Sequence, residues 1–379
     1  MSLTTDVDSL VKIKCFGVGG GGCNAVSRMA AQASRNVEYI AVNTDAQALT
    51  RVDSSGRLRI GDALTRGLGA GGSPEVGQNA AEESRDQIFE EVGGADMVFV
   101  AAGMGGGTGT GAAPVIAQVA RDSGALTIGI VTRPFGFEGV HRARQAEEGI
   151  ARLHDAVDSL IIVPNERLLA VAGSEASWQD AFKMADDVLR QGVHSISELV
   201  TVSGEINLDF ADVRNVMSES GQALMAIGRG SGPARAIDAA NAAIANPLLE
   251  VDITGATGVL FNIVGGGDLK LSELHQAAEV IQRVVDPDAN IIFGMTTDMK
   301  MENEIKLTII ATGFPTSETL EEREDQVTRM LHDALSKDEA ELDLPPFLRR
   351  FSKGKTGKAA SPVQSVPEQS EVSVEAEVA

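Results

Sequence analysis

At 379 residues the chain is long enough for about two domains with real cores. Its formal net charge of −22 repels phosphate backbones and anionic lipid at long range, which excludes non-specific nucleic-acid binding and means that any bound nucleotide must be held by local geometry. Two cysteines, Cys15 and Cys23, are too few for a disulfide framework or a structural zinc site, and no apolar run approaches the roughly 20 residues of a membrane span, so a reducing compartment, no signal peptide and no direct membrane insertion are expected.

The first half alternates strand and helix. Val11–Gly17 reads as a strand, followed by the glycines 19–22 and a helix over Asn24–Ala33. Val37–Val42 is a second strand ending in Asn43-Thr44-Asp45. Met97–Ala102 is a near-continuous apolar strand, with a helix over Pro114–Asp122, and Leu126–Val131 and Leu160–Val163 are further strands. Repeated β-turn-α units with continuous apolar strands predict a parallel, doubly covered, Rossmann-like sheet, whose ligands collect at the carboxyl ends of the strands. Ala176–Leu199 reads as one long helix, with Phe182, Ala185, Leu189, Val193 and Ile196 at helical spacing. Beyond it, helical segments near Asp212–Met225 and Pro233–Ala245, strands Gly258–Val264, Asn290–Met295 and Ile305–Thr312, and a helix Ser272–Val285 predict a smaller α+β domain. Thr319–Asp338 has an amphipathic helical pattern, Leu342–Arg350 is apolar and basic, and 351–379 is a Ser-, Pro-, Lys- and Glu-rich tail with the composition of disorder.

Glycine carries the chemical signal, with 41 residues clustered rather than spread. Gly17-Val18-Gly19-Gly20-Gly21-Gly22 fits G-x-G-x-x-G between a strand and a helix. Alone it fits a dinucleotide-binding turn or a structural tight turn. A second run, Gly105-Gly106-Gly107-Thr108-Gly109-Thr110-Gly111, follows another strand and precedes another helix, with Pro114 expected in that helix's first turn. Backbone N–H groups without side chains can wrap an anion, helped by the helix dipole, and Thr108 and Thr110 can add hydroxyls. Two such loops suit a polyphosphate. A third segment, Gly67-Leu68-Gly69-Ala70-Gly71-Gly72, leads to an N-cap at Ser73-Pro74; it can close over a terminal phosphate or be only a turn. No G-x-x-x-x-G-K-[ST] occurs, so the P-loop lysine is absent and phosphate charge falls to amides, hydroxyls and a cation such as Mg²⁺.

These runs, together with Gly103-Met104 before the second and Asn207-Leu208-Asp209-Phe210-Ala211-Asp212-Val213, resemble the signature loops of the FtsZ family, the bacterial relatives of tubulin. The resemblance covers roughly residues 11–316. It implies a GTP-binding α/β domain (1–175), a central helix (176–200), an α+β activating domain (201–316), a short charged linker (317–341), a partner-binding peptide (342–350) and a tail (351–379). By position it assigns GTP or GDP phosphates to Gly20, Gly21, Gly22, Cys23, Asn24, Gly107, Thr108 and Gly109. Glu138 and Arg142 would reach the ribose and phosphate side, Asn165 and Asp186 would read guanine, and Phe182 would pack on the base. Asp186 follows Phe182 by four residues, hence on one helix face, and a carboxylate suits the paired N–H donors of guanine.

Asn207, Asp209 and Asp212 are the implied catalytic residues, acting on the nucleotide of the next subunit of a filament. From spacing alone, Asp209 and Asp212 can equally cap a helix start. Glu138 and Arg142 can be a surface ion pair, and Phe182 can be core. Leu342–Arg350 resembles a peptide that docks on membrane-anchoring division partners, although the family places it after a longer linker. The resemblance thus implies a cytoplasmic GTPase polymerising at midcell. Two alternatives stay open: an NAD(P) oxidoreductase using the first glycine run with Glu38 as the ribose acid, and a tubulin-like filament for DNA segregation or cell shape.

Overall fold

The computed structural model describes residues 11–31, 37–172, 177–201, 204–206, 208–218, 220–246 and 253–314. Asn207, the linker 317–341, the peptide Leu342–Arg350 and the tail 351–379 lie outside the described residues. The elements run β1 (Ile13–Val18), α1 (Gly19–Ala31), β2 (Val37–Asn43), α2 (Ala46–Thr50), β3 (Gly56–Arg59), α3 (Asp62–Thr65), α4 (Pro74–Glu83), α5 (Arg85–Val92), β4 (Met97–Gly103), α6 (Thr108–Asp122), β5 (Leu126–Arg133), α7 (Val140–Ala156), β6 (Ser159–Pro164), α8 (Asn165–Ala172) and α9 (Trp178–Thr201). There follow α10 (Phe210–Met217), β7 (Gly221–Ser231), α11 (Arg235–Ile244), β8 (Gly258–Gly265), α12 (Leu271–Gln282), β9 (Asn290–Thr297) and β10 (Glu304–Thr312).

Among the described residues these strands form one ten-stranded sheet in the order β3-β2-β1-β4-β5-β6-β7-β10-β8-β9. From β3 to β6 every pairing is parallel. The chain leaves β1 toward β2 on one side and β4 toward β5 on the other, so the β1–β4 boundary is the topological switch point at which open α/β sheets hold ligands. β7 serves both halves. Its residues Gly221–Ala223 pair parallel with Ser159–Ile161 of β6, and Leu224–Ser231 pair antiparallel with β10. β10 is antiparallel to β8, and β8 parallel to β9, giving a mostly parallel mixed sheet.

β4 explains why an apolar run with no alternation makes a strand here. Met97, Phe99 and Ala101 enter the core on one face, under α1, α9 and α10, while Val98, Val100 and Ala102 enter the core beneath α4 to α7. A third core lies beneath α11 and α12. α9 buries Ala185, Leu189, Val193 and Ile196 in the first of these cores, which also takes in Leu260 and Ile310 of β8 and β10. Phe182 breaks the stripe at 38% exposed and is not core. Among the described residues no helix is long and apolar enough to cross a membrane.

Three sequence expectations need correction. Both glycine runs wind directly into helix, so α1 begins at Gly19 rather than Asn24, and α6 at Thr108. Pro114 is therefore inside α6 and not in its first turn. The expected helix over Asp212–Met225 ends at Met217, and Gly221 (φ +66°) starts a strand. Leu224, Met225 and Ile227 fit either period; the open edges of β6 and β10 decide for strand. The segment between β2 and β4, with β3 and four short helices, gave no clear period.

The smaller half carries one buried charge cluster. Arg235 on α11 is 3% exposed and donates to both carboxylate oxygens of Glu273 (2.7 and 2.9 Å) and to Asp268 (2.7 Å). These bonds hold the Glu273 carboxyl below its ordinary range, with the Arg235 hydrogen bonds the first cause. That stabilisation is complete above the ordinary Glu range and is lost as the pH falls through the depressed value. Arg235→Ala leaves the half-buried Glu273 carboxylate without its bidentate partner and is expected to lower the urea unfolding free energy by roughly 1–2 kcal/mol at pH 7, with the deficit shrinking in acid.

Candidate nucleotide site at the carboxyl edge of the sheet

The two glycine runs meet at the switch point. A Cβ at Gly19 would lie 2.7 Å from Gly109 N, one at Gly22 would lie 2.3 Å from Ala101 O, and one at Gly109 would lie 2.6 Å from Gly103 O. Gly20 has nothing within 4 Å, and Gly106 has only an Arg142 guanidinium nitrogen at 4.0 Å. The glycines therefore divide by role. Gly19, Gly22 and Gly109 let backbones touch, while Gly20 and Gly106 leave open surface. Helix geometry leaves the first N–H groups of α1 and α6 without intrahelical acceptors, and both rows open on the same crevice.

Several residues hold these loops rather than face the crevice. Gly105 N–H donates to Thr110 Oγ1 (2.8 Å), so that hydroxyl braces its own loop. The Thr108 hydroxyl lies 2.7 Å from that of Thr44, tying α6 to the end of β2. Asn43 Oδ1 accepts from Thr44 N–H, and Asp45 caps α2. The third glycine segment packs on the second: a Cβ at Gly107 would come within 2.8 Å of Ala70 Cβ. Cys23 turns its thiol toward Gly17 O and Val42 O, inside the sheet–helix layer, and burial pushes it up to about 12. It is no reactive thiol. Its N–H and that of Asn24 lie past the helix's first turn; the Asn24 side chain is exposed.

The other predicted residues line the same edge. Glu138 accepts from Phe135 N–H (2.9 Å) and pairs with Arg142 (2.8 Å), so the ion pair exists, beside the open Gly106. Phe135, Phe137 and Phe182 form a cluster, Phe137 stacked on Phe135 (5.0 Å) and Phe182 edge-on to both. Asn165 opens α8 at the end of β6. It is 5% exposed, and its Oδ1 is buried with no hydrogen-bond partner. A buried acceptor without a donor is costly unless a ligand supplies one. Asp186 is 8% exposed and lies 3.3 Å from Arg28 of α1. Arg28, Thr44 and Phe137 went unnoticed in the sequence; the four-residue steps Gly20, Asn24, Arg28 were the available signal for the first.

Asp209 and Asp212 are not at this edge. Asp209 caps α10, its Oδ1 accepting from Asp212 N–H (2.8 Å). Arg214 of the same helix donates to Gly124 O, just past the C-terminal end of α6, whose first turn is the second glycine run. Fifteen residues of α6 put about 22 Å between those ends. Glu38, the ribose acid of the NAD(P) alternative, sits at the wrong end of β2 and pairs with Lys14, which removes that reading's second anchor. Among the described residues no three His, Cys, Asp or Glu side chains converge to hold a metal.

Comparison with known proteins agrees with the fold. The profile of the tubulin/FtsZ family GTPase domain matches residues 12–173, and that of the FtsZ family C-terminal domain matches residues 221–315. The empty FtsZ dimer of M. jannaschii is 42% identical over 80% of this chain and 88% of its own, with a TM-score of 0.76. A mutant of the same M. jannaschii protein matches at 42% identity, over 80% and 91% of the two chains and with the same TM-score. The GTPγS-bound protofilament of CetZ2 from Haloferax volcanii shares the fold at 20% identity, covering 86% of this chain and 99% of its own (TM-score 0.68).

The division of the glycines is testable by stability alone. Gly22→Ala, with its methyl driven into Ala101 O, is expected to cost roughly 1–3 kcal/mol in chemical denaturation. Gly20→Ala is expected to stay within about 1 kcal/mol of the parent, on the stabilising side.

Proposed function

The chain belongs to the tubulin/FtsZ family and is a GTP-binding, polymerising GTPase, and from that membership we propose that it builds head-to-tail filaments of the bacterial division ring, in which the acidic loop of one subunit completes hydrolysis of the nucleotide held by the next. The observation that carries this reading is the separation just described. The glycine crevice lies at one end of α6 and the helix bearing Asp209 and Asp212 is anchored at the other, so one subunit's acids lie far from its own glycine crevice. A second subunit stacked in the same orientation brings the two together. Such a contact is heterologous and propagates as a filament. Exposed Leu68, Phe137 and Val140 near the crevice, and exposed Leu271, Phe293 and Met299 in the smaller half, are apolar surface available to it.

Within the site, the backbone of Gly20–Gly22 and of Gly107–Gly109 holds the phosphates, with the Asn24 side chain beside them, while Thr108 and Cys23 brace the loops behind. Arg142 adds the local cation that a chain of net charge −22 otherwise lacks, and Glu138 holds Arg142 and the ribose side. Phe182 covers the base, Asn165 Oδ1 accepts from it, and Asp186 meets the paired N–H donors that guanine has and adenine lacks. Mg²⁺ carried by the phosphates and their water would neutralise charge there. Asp209 and Asp212, with Asn207, orient the attacking water on the neighbouring subunit's nucleotide. Leu342–Arg350 docks on a membrane-anchoring division protein in a groove-binding mode.

Asp212→Ala is expected to keep GTP affinity and lower turnover by about a hundredfold or more, read as phosphate release alongside light scattering on GTP addition with GDP as control. Retained turnover would refute the catalytic assignment. Deleting Leu342–Arg350 is expected to leave assembly in solution intact and abolish midcell rings; persistent rings would favour a filament without that anchor.

A further inference from the structure

One stripe of α1 runs the length of the candidate site. Gly20, Asn24 and Arg28 follow at four-residue steps and share a helix face. Gly20 is open, Asn24 is exposed, and Arg28, in the last turn, reaches α9, where its Nη2 lies 3.3 Å from Asp186 Oδ2. Between Gly20 and Arg28 the helix rises about 12 Å, so one rigid rod spans from the phosphate cradle to the acid assigned to the base. We propose that Arg28 is the positioning residue for guanine recognition: its guanidinium fixes the Asp186 carboxylate toward the crevice, so that α1 joins phosphate binding at one end to base reading at the other.

The electrostatics give Arg28 a specific task. Burial is the first cause that pushes the Asp186 carboxyl up, to about 6, and the adjacent Asp187 pushes the same way. Arg28, arriving from α1, opposes both. A protonated Asp186 offers guanine one acceptor where the carboxylate offers two, so recognition is present above about pH 6 and is lost as the pH falls through it. Without Arg28 that loss moves toward neutrality. A cation at a helix C-terminus also stabilises the helix dipole, but that role alone would change stability without moving the pH profile of binding.

The inference rests on the reading that Asp186 meets guanine. It is tested by titrating GDP into the full chain between pH 5 and 8, for the parent and for Arg28→Met, Arg28→Gln, Arg28→Lys and Asp186→Asn, each checked for folding by thermal melting. Differences between variants cancel the titration of the diphosphate itself. Arg28→Met and Arg28→Gln are expected to move the midpoint up by about one pH unit, which at pH 6.5 weakens affinity about threefold. Arg28→Lys is expected to restore most of the parent profile. A folded Arg28→Met or Arg28→Gln with the parent midpoint overturns the inference while Asp186→Asn still weakens binding. If Asp186→Asn binds GDP like the parent, the base-reading assignment itself has failed.

Discussion

The structure depends on backbone touching backbone at the β1–β4 boundary. Two strand ends and two helix starts converge there with no room for a Cβ at Gly19, Gly22 or Gly109. Side chains at those points would hold the helices off the sheet. The same approach aligns two sets of helix-start N–H groups on one crevice, where their partial positive charge adds up. Packing and ligand binding are thus not separate demands on the glycine runs. The close contacts set the geometry, and the open positions, Gly20 and Gly106, expose it.

On the proposed reading, that arrangement lets a strongly acidic chain bind an anion. A net charge of −22 works against any phosphate at long range. What counters it is short-range: oriented amides, one arginine held by Glu138, and a dry floor of buried strands. The proposed base end uses the opposite chemistry. Asn165 is 5% exposed and keeps an acceptor unmatched, beside an Asp186 carboxylate largely buried against Arg28. Leaving such groups poorly paired costs folding free energy, which a cognate base can return as affinity and selectivity.

Much of this was legible in the sequence, for identifiable reasons. β4 read as a buried strand because an unbroken apolar run of that length between turns has few other fates, and α9 read as a long helix because its stripe is regular. The glycine runs pointed to the crevice where they meet. The misreadings share a cause. Clustered glycine reads as loop, whereas Gly19, Gly22, Gly109 and Gly111 lie in the first turn of a helix and press against another backbone. Leu224 and Met225 fit the expected helix over Asp212–Met225 because local pattern cannot see a waiting sheet edge. Arg28 was missed because its partner, Asp186, is 158 positions away, and no periodicity links them.

β7 divides its hydrogen bonds unequally between the two halves: three register pairs to β6, eight to β10. The ladder at the seam is therefore short, and the packing of α9 and α10 against both halves supplements it, with Thr312 Oγ1 donating to Val216 O and Ser159 Oγ to Met217 O. A sheet stressed along its width parts where the ladder has the fewest rungs. Bending imposed on a strand of stacked subunits would load the ladder first at Gly221–Ala223, where the rungs are fewest, with the shared core under α9 and α10 resisting it.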